Sequence, residues 1–201
     1  MLGCVSTTRR IEREWEWNDE HEAIRAGGHL PACRKVTLSN SSNVGRLDTP
    51  IGRMEVSVNE AGAVVRVAFA EDDASAAETA ADVCAAVVSQ LEEYFSLERR
   101  SFDLELDPEG SDFEKRVWTK LQLIPFGTTI TYGEIARRLG DPGASRAVGL
   151  ANSRNPIAII IPCHRVIGAD GDLTGYARGM HRKRWLLAHE SGQASLSFED
   201  V

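Results

Sequence analysis

The chain has 201 residues, 42% hydrophobic and 26% charged. That suits one soluble domain or two small ones and argues against wholesale disorder or a disulfide-stapled miniprotein. No apolar run approaches the ~18 residues of a membrane span, and no secretory leader is evident; four cysteines without close spacing (Cys4, Cys33, Cys84, Cys163) suit the reducing cytoplasm.

Residues 1–43 read as a polar arm, expected to be poorly ordered unless it packs on the body: Trp15 and Trp17 lie among charges, Gly27-Gly28 breaks any helix, and Ser39-Asn40-Ser41-Ser42-Asn43 resembles a linker. A domain over 44–110 follows. Met54, Val56 and Val58 alternate with polar residues, Glu60-Ala61-Gly62 is a turn, and Val65, Val67 and Phe69 alternate again, which predicts a hairpin. Residues 74–95 are Ala-rich and helical, with Val83, Val87, Leu91 and Tyr94 on one face. Phe102, Leu104 and Leu106 predict a further strand before the turn at Asp107-Pro108-Glu109-Gly110.

A second domain is expected over 111–190, with 191–201 as a tail. Ser111 and Glu114 form a capping box ahead of a helix burying Phe113, Val117, Leu121 and Ile124; Pro125-Phe126-Gly127 stops it. Thr131 and Glu134 suggest a second box, opening a short helix with Ile135 and Leu139 inward. After the turn at Asp141-Pro142-Gly143 a third helix runs over about 144–153, where Asn155-Pro156 ends it. Two short helices about a tight turn fit a helix-turn-helix, though any αα-hairpin shares the pattern. Arg146, Asn152 and Arg154 are its polar residues; Ala147, Gly149 and Ala151 are small enough for close approach to another surface.

Charge is split along the chain. The net charge is −7, yet residues 43–110 carry 5 basic and 15 acidic side chains, net −10, and residues 111–190 carry 12 basic and 7 acidic, net +5. One basic half is expected where that half meets phosphate, although two solvated surfaces of different sign would look the same.

Residues 157–161 read as a buried strand ending at Pro162-Cys163-His164-Arg165-Val166. A cysteine there would be rigidly held, and neighbouring cations such as Arg165 would favour its thiolate. On an extended chain adjacent side chains diverge, so His164 would reach the sulfur only through a water; Glu190 is the candidate carboxylate to orient the imidazole.

Pro162-Cys163-His164-Arg165-Val166 resembles the active-site signature of the O6-alkylguanine-DNA alkyltransferases (methylated-DNA–protein-cysteine methyltransferases). The likeness extends to the run from Ile124 through Tyr132-Gly133-Glu134, to Ser145-Arg146-Ala147-Val148-Gly149, Asn155-Pro156 and Thr174-Gly175-Tyr176, and to Lys183-Arg184-Trp185-Leu186-Leu187-Ala188-His189-Glu190. Together these motifs cover 111–190 continuously, and the segment from Thr49 to Asp107 resembles the family's more variable N-terminal domain. The resemblance implies an α/β (α+β) fold: a small ribonuclease H-like sheet-plus-helix domain, then a mostly helical domain of winged-helix or helix-turn-helix type. It implies direct, single-turnover DNA repair without a cofactor, in which Cys163 takes and keeps the alkyl group from guanine O6. His164 would be the water-linked base, Glu190 the carboxylate behind it, and Tyr132 the proton donor to guanine N3. Arg146 would enter the duplex in place of the flipped nucleotide, with Thr131, Ala147, Gly149 and Asn152 also at the DNA. Asn155 would be the hinge; Val166, Tyr176, Ala177 and Arg178 would line the base pocket. The partner would be double-stranded DNA carrying O6-alkylguanine, met through the minor groove by a monomer in the cytoplasm.

Two departures stand out. Arg178 replaces a glycine of the family pattern, and it is expected to narrow the pocket or meet a phosphate. The arm is longer than in the bacterial pattern, and the spacing of Cys4, His21, His29 and Cys33 fits no zinc set. The competing readings are a helix-turn-helix regulator with a redox-active cysteine and a non-catalytic lesion binder.

Overall fold

A computed structural model describes residues 43–70, 81–173 and 175–192, without the side chains of 81–83. Nearly all of the arm, with Cys4, His21, His29 and Cys33, the start of the predicted helix over 74–95, Thr174 and most of the tail lie outside them.

Three antiparallel strands form the first layer: β1 (Val44–Thr49), β2 (Gly52–Val58) and β3 (Val64–Phe69), in that order. β2 pairs Thr49 with Gly52 on one side and Val56 with Val67 on the other. The predicted hairpin is therefore β2–β3, and β1 is an additional strand. Its turn is closed by Asn59, whose Oδ1 accepts from the Ala61 and Ala63 amides at 3.1 and 3.0 Å. Helix α1 (Ala81–Phe95) turns Cys84, Val87, Leu91 and Tyr94 into the core.

The remainder is mostly helical. α2 (Asp112–Gln122) begins at Ser111, where both halves of the capping box are present. It buries Val117, Trp118 and Leu121, and the Trp118 indole donates to the Ala151 carbonyl at 2.8 Å, fixing α2 to the next helices. α3 (Tyr132–Arg138) begins at Thr131, which accepts from the Glu134 amide. The second box is only half realised, because the Glu134 carboxylate pairs with Arg137 and Arg138. A 3-10 turn (Pro142–Ala144) leads to α4 (Ser145–Ser153), and α5 (Met180–Glu190) closes the fold. Between them lie two-residue strands, β4 (Ile130–Thr131) and β5 (Val166–Ile167), paired in parallel.

Two expected strands are absent. Phe102, Leu104 and Leu106 alternate in burial, but only Leu106 bridges β3, opposite Val64. Residues 157–161 contribute one bridge, Ile157 to Val67, and then turn: the Ile161 amide reaches the Ile157 carbonyl at 3.1 Å, and Ile159 sits at φ 69°. Five apolar residues between Pro156 and Pro162 signal burial, not extension. A β-branched residue held at positive φ costs on the order of 1–3 kcal/mol, which the surrounding packing must offset. Both bridges lie against β3, and the one at Val67 joins the sheet to the segment leading to Cys163.

Candidate active site

Cys163 opens a single 3-10 turn (Cys163–Arg165) instead of ending a strand. Two asparagines hold it. Asn152 donates to the Cys163 carbonyl at 3.3 Å. The Asn155 amide donates to Ile161 O at 2.8 Å and Ile157 O at 3.2 Å, while its Oδ1 accepts from Ile157 N at 3.0 Å. Asn155 thus ties the end of α4 to the segment that leads to the cysteine. Asn152 is a correction to the DNA-facing set. It is 2% exposed because it shares the inward face of α4 with Val148 and Ala151, at helical spacing.

The sulfur is buried too, with Cys163 2% exposed. Burial pushes its pKa up, opposed by a hydrogen bond from Asn155 and by the charges of Arg178 and Lys183. The resting group is therefore a thiol, contrary to an ionised sulfur. Arg165 does not serve it: Nε and Nη2 bind Glu190 at 2.8 and 2.9 Å, and Nη1 binds the Ile124 carbonyl at 2.6 Å.

Glu190 is the hub. Its Oε1 accepts from the Tyr94 hydroxyl and His164 Nε2, both at 2.8 Å, and its Oε2 accepts from the Gly127 amide at 3.1 Å. Gly127 must be glycine, since φ is 70° and a Cβ would lie 2.9 Å from the Glu190 carbonyl. Burial alone would raise the Glu190 pKa, but the bonds and charges of His164 and Arg165 prevail and hold it well below the carboxylate range. An ionised carboxylate only accepts, so His164 donates through Nε2–H and Nδ1 carries the lone pair. Nδ1 is buried without a hydrogen-bond partner. Burial lowers the His164 pKa more than Glu190 raises it, so the ring is neutral at pH 7.

Two phenols accompany the sulfur. Burial and Cys163 both push the pKa of Tyr132 up, and more strongly that of Tyr176, so each stays protonated. Tyr132 packs against α4 at Gly149, where a Cβ would lie 4.0 Å from the ring. The Tyr176 hydroxyl is buried beside the sulfur but makes no hydrogen bond of acceptable geometry. Val166 has both backbone groups engaged: its amide reaches Cys163 O, and its carbonyl accepts from Lys183 Nζ at 2.6 Å.

On α4, Arg146 and Ala147 are exposed and Gly149 is half-buried; Thr131, at the start of α3, is half-buried too. Ala177 is exposed, while the half-buried Arg178 donates to the Asn155 carbonyl at 2.6 Å. Tyr94, Lys183 and the structural role of Asn152 were missed. A tyrosine and a lysine on helices resemble ordinary packing and solvated charge, and only the fold brings them inward. Among the described residues no cluster of three or more His, Cys, Asp or Glu could hold a metal, and no helix is long and apolar enough to cross a membrane.

A small antiparallel sheet with its helix, followed by a mostly helical half that carries a buried cysteine next to a buried His164–Glu190 pair, defines the class. The 6-O-methylguanine DNA methyltransferase ribonuclease-like domain matches residues 44–108, and the DNA binding domain of the same name matches 112–192. The chain belongs to the 6-O-methylguanine DNA methyltransferase family. A methylated-DNA–protein-cysteine methyltransferase of Methanosarcina acetivorans is 64% identical over 101 residues, covering 50% of this chain and 65% of that protein. The Mycolicibacterium paratuberculosis protein of the same name is 58% identical over 118 residues, 58% of this chain and 72% of its own. The chain thus spans about two thirds of the curated relatives it matches. The crystal structure of Mycobacterium tuberculosis OGT in complex with DNA superposes with a TM-score of 0.68 at 44% identity, covering 78% of this chain and 99% of that one.

Proposed function

We propose that this protein repairs DNA by transferring an alkyl group from guanine O6 to Cys163 in a single irreversible turnover. The observation carrying the proposal is the buried Glu190–His164 pair next in the chain to a buried Cys163, with Tyr132 near the sulfur. A base within the duplex stack cannot be reached, so the nucleotide must be flipped out, at a cost of a few kcal/mol. The exposed Arg146 on α4 offsets part of that loss by filling the gap. His164 Nδ1, through a water, takes the thiol proton, and Glu190 steadies the imidazolium. The sulfur attacks the alkyl carbon; the S–C bond forms as the C–O6 bond breaks, and its electron pair passes into the purine. Tyr132 donates its proton to N3, so guanine leaves neutral, and the phenolate recovers a proton from His164. Neither thioether nor fold offers a return path, so one molecule performs one repair. The reducing cytoplasm suits this thiol chemistry.

The test is mass spectrometry after mixing with a duplex containing O6-methylguanine. One methyl group on the Cys163 peptide, in stoichiometric yield and absent from Cys163→Ala, is expected. Tight lesion binding with no transfer would instead identify a non-catalytic binder.

A further inference from the structure

The proposed reaction makes no use of Arg178. Its guanidinium is half-buried, yet it donates to a carbonyl, Asn155 O at 2.6 Å. Its own carbonyl accepts from Arg182 Nη1 at 2.8 Å; Arg182 in turn reaches Ile51 O at 2.9 Å and lies over the Phe69 ring at 4.2 Å. The loop carrying Arg178 is thereby braced against the sheet. Among the described residues no carboxylate pairs with Arg178. The site's acid, Glu190, is already engaged by His164, Arg165, Tyr94 and Gly127. A partly desolvated cation without a counter-ion is costly and favours any neighbouring group able to become an anion.

That neighbour is Cys163. The groups facing its sulfur are the Asn155 amide from the end of α4, Tyr132 from α3, Tyr176 and Arg178 from the loop before α5, and Lys183 from α5; His164 follows it in the chain. Burial opposes a negative sulfur. Arg178 and Lys183 supply the opposing charge, and Arg178 is tied to the same asparagine that bonds to the cysteine segment.

We infer that Arg178 is a positioning residue for alkyl transfer: by gripping the Asn155 carbonyl it fixes a positive charge beside Cys163 and eases formation of the thiolate. The inference rests on the alkyl-transfer reading. A contact to a DNA phosphate is the rival use. The inward bond to Asn155, itself 2% exposed, favours the sulfur.

Arg178→Met keeps the aliphatic stem and removes the charge, whereas Arg178→Lys keeps the charge. Thiolate absorbance, read as the difference from Cys163→Ser in each background, titrates the sulfur independently of repair. The expected result is a Cys163 midpoint raised by about one pH unit in Arg178→Met, hence transfer slowed about tenfold at pH 7, with the deficit shrinking as pH rises. Arg178→Lys should restore most of both. Equal midpoints in the three proteins would overturn the inference, as would a pH-independent deficit accompanied by weaker duplex affinity and a salt dependence shallower by about one unit, the mark of a phosphate contact. If wild type methylates nothing, the repair reading fails, while the titration still decides the role of Arg178.

Discussion

Replacing Glu190 by glutamine removes one charge from a network whose side-chain partners, Tyr94, His164 and Arg165, are all buried. The Glu190 side chain is 0% exposed and that of Arg165 7%. Glutamine can still accept through one oxygen, but an amide nitrogen in place of Oε2 would face two donors, Arg165 Nε and Gly127 N, that Oε2 now satisfies. Arg165 would keep its Ile124 bond and lose its counter-ion. Breaking one side of a buried ion pair costs about 3–5 kcal/mol. Against a total stability of about 5–15 kcal/mol, and at about 2–4 °C per kcal/mol, this lowers Tm by roughly 6–20 °C. Urea and thermal unfolding followed by circular dichroism measure it, and the double variant Glu190→Gln/Arg165→Met should recover part of the loss. The pH dependence has a definite sign. The folded carboxyl titrates below the unfolded value of about 4.3, so its contribution is complete above that pH and disappears as pH falls toward the folded value. The gap between wild type and Glu190→Gln should therefore narrow in acid. A loss under ~1 kcal/mol at pH 7, or a gap that stays constant in acid, would refute the account of Glu190 as the hub.

Three further outcomes are expected. Tyr132→Phe keeps the ring against Gly149 but removes the proton donor, so single-turnover transfer should slow about 10²–10³-fold with duplex affinity little changed. Arg146→Ala should slow repair in a duplex at least about tenfold more than repair of a lesion in a single strand, because only the duplex leaves a gap to fill; equal slowing would count against that role. Gly110→Ala would place a Cβ 2.5 Å from the Trp118 ring and should destabilise by about 1–3 kcal/mol, read by thermal unfolding.

Local chemistry was readable ahead of the fold. The Ser111 box follows from two side chains and the backbone between them, and it forms in full. The motif resemblance paired His164 with Glu190 across 26 residues, and they meet at 2.8 Å. Where tertiary demands override local pattern, reading failed. Residues 157–161 are apolar enough for a strand, yet the chain must reverse there to bring Cys163 beneath α4. Arg165 looked like a cation for the sulfur because it is two residues away; a carboxylate 25 residues downstream claims it instead. Polarity put Asn152 on the outer surface of its helix, although four-residue spacing from the buried Val148 places it inside. Lys183 gave no sign of burial, since lysines on helices are nearly always solvated.

The Tyr94 hydroxyl comes from α1, the helix packed on the sheet, and ends on Glu190; its backbone carbonyl meets His189 Nε2 at 3.0 Å. A fragment trimmed to residues 111–190 would keep Cys163, His164 and Glu190 and still lack one of the donors that hold Glu190. The front half thus contributes a hydrogen bond to the buried centre as well as a layer of packing, so a change in α1 can be felt at a carboxylate nearly a hundred residues away.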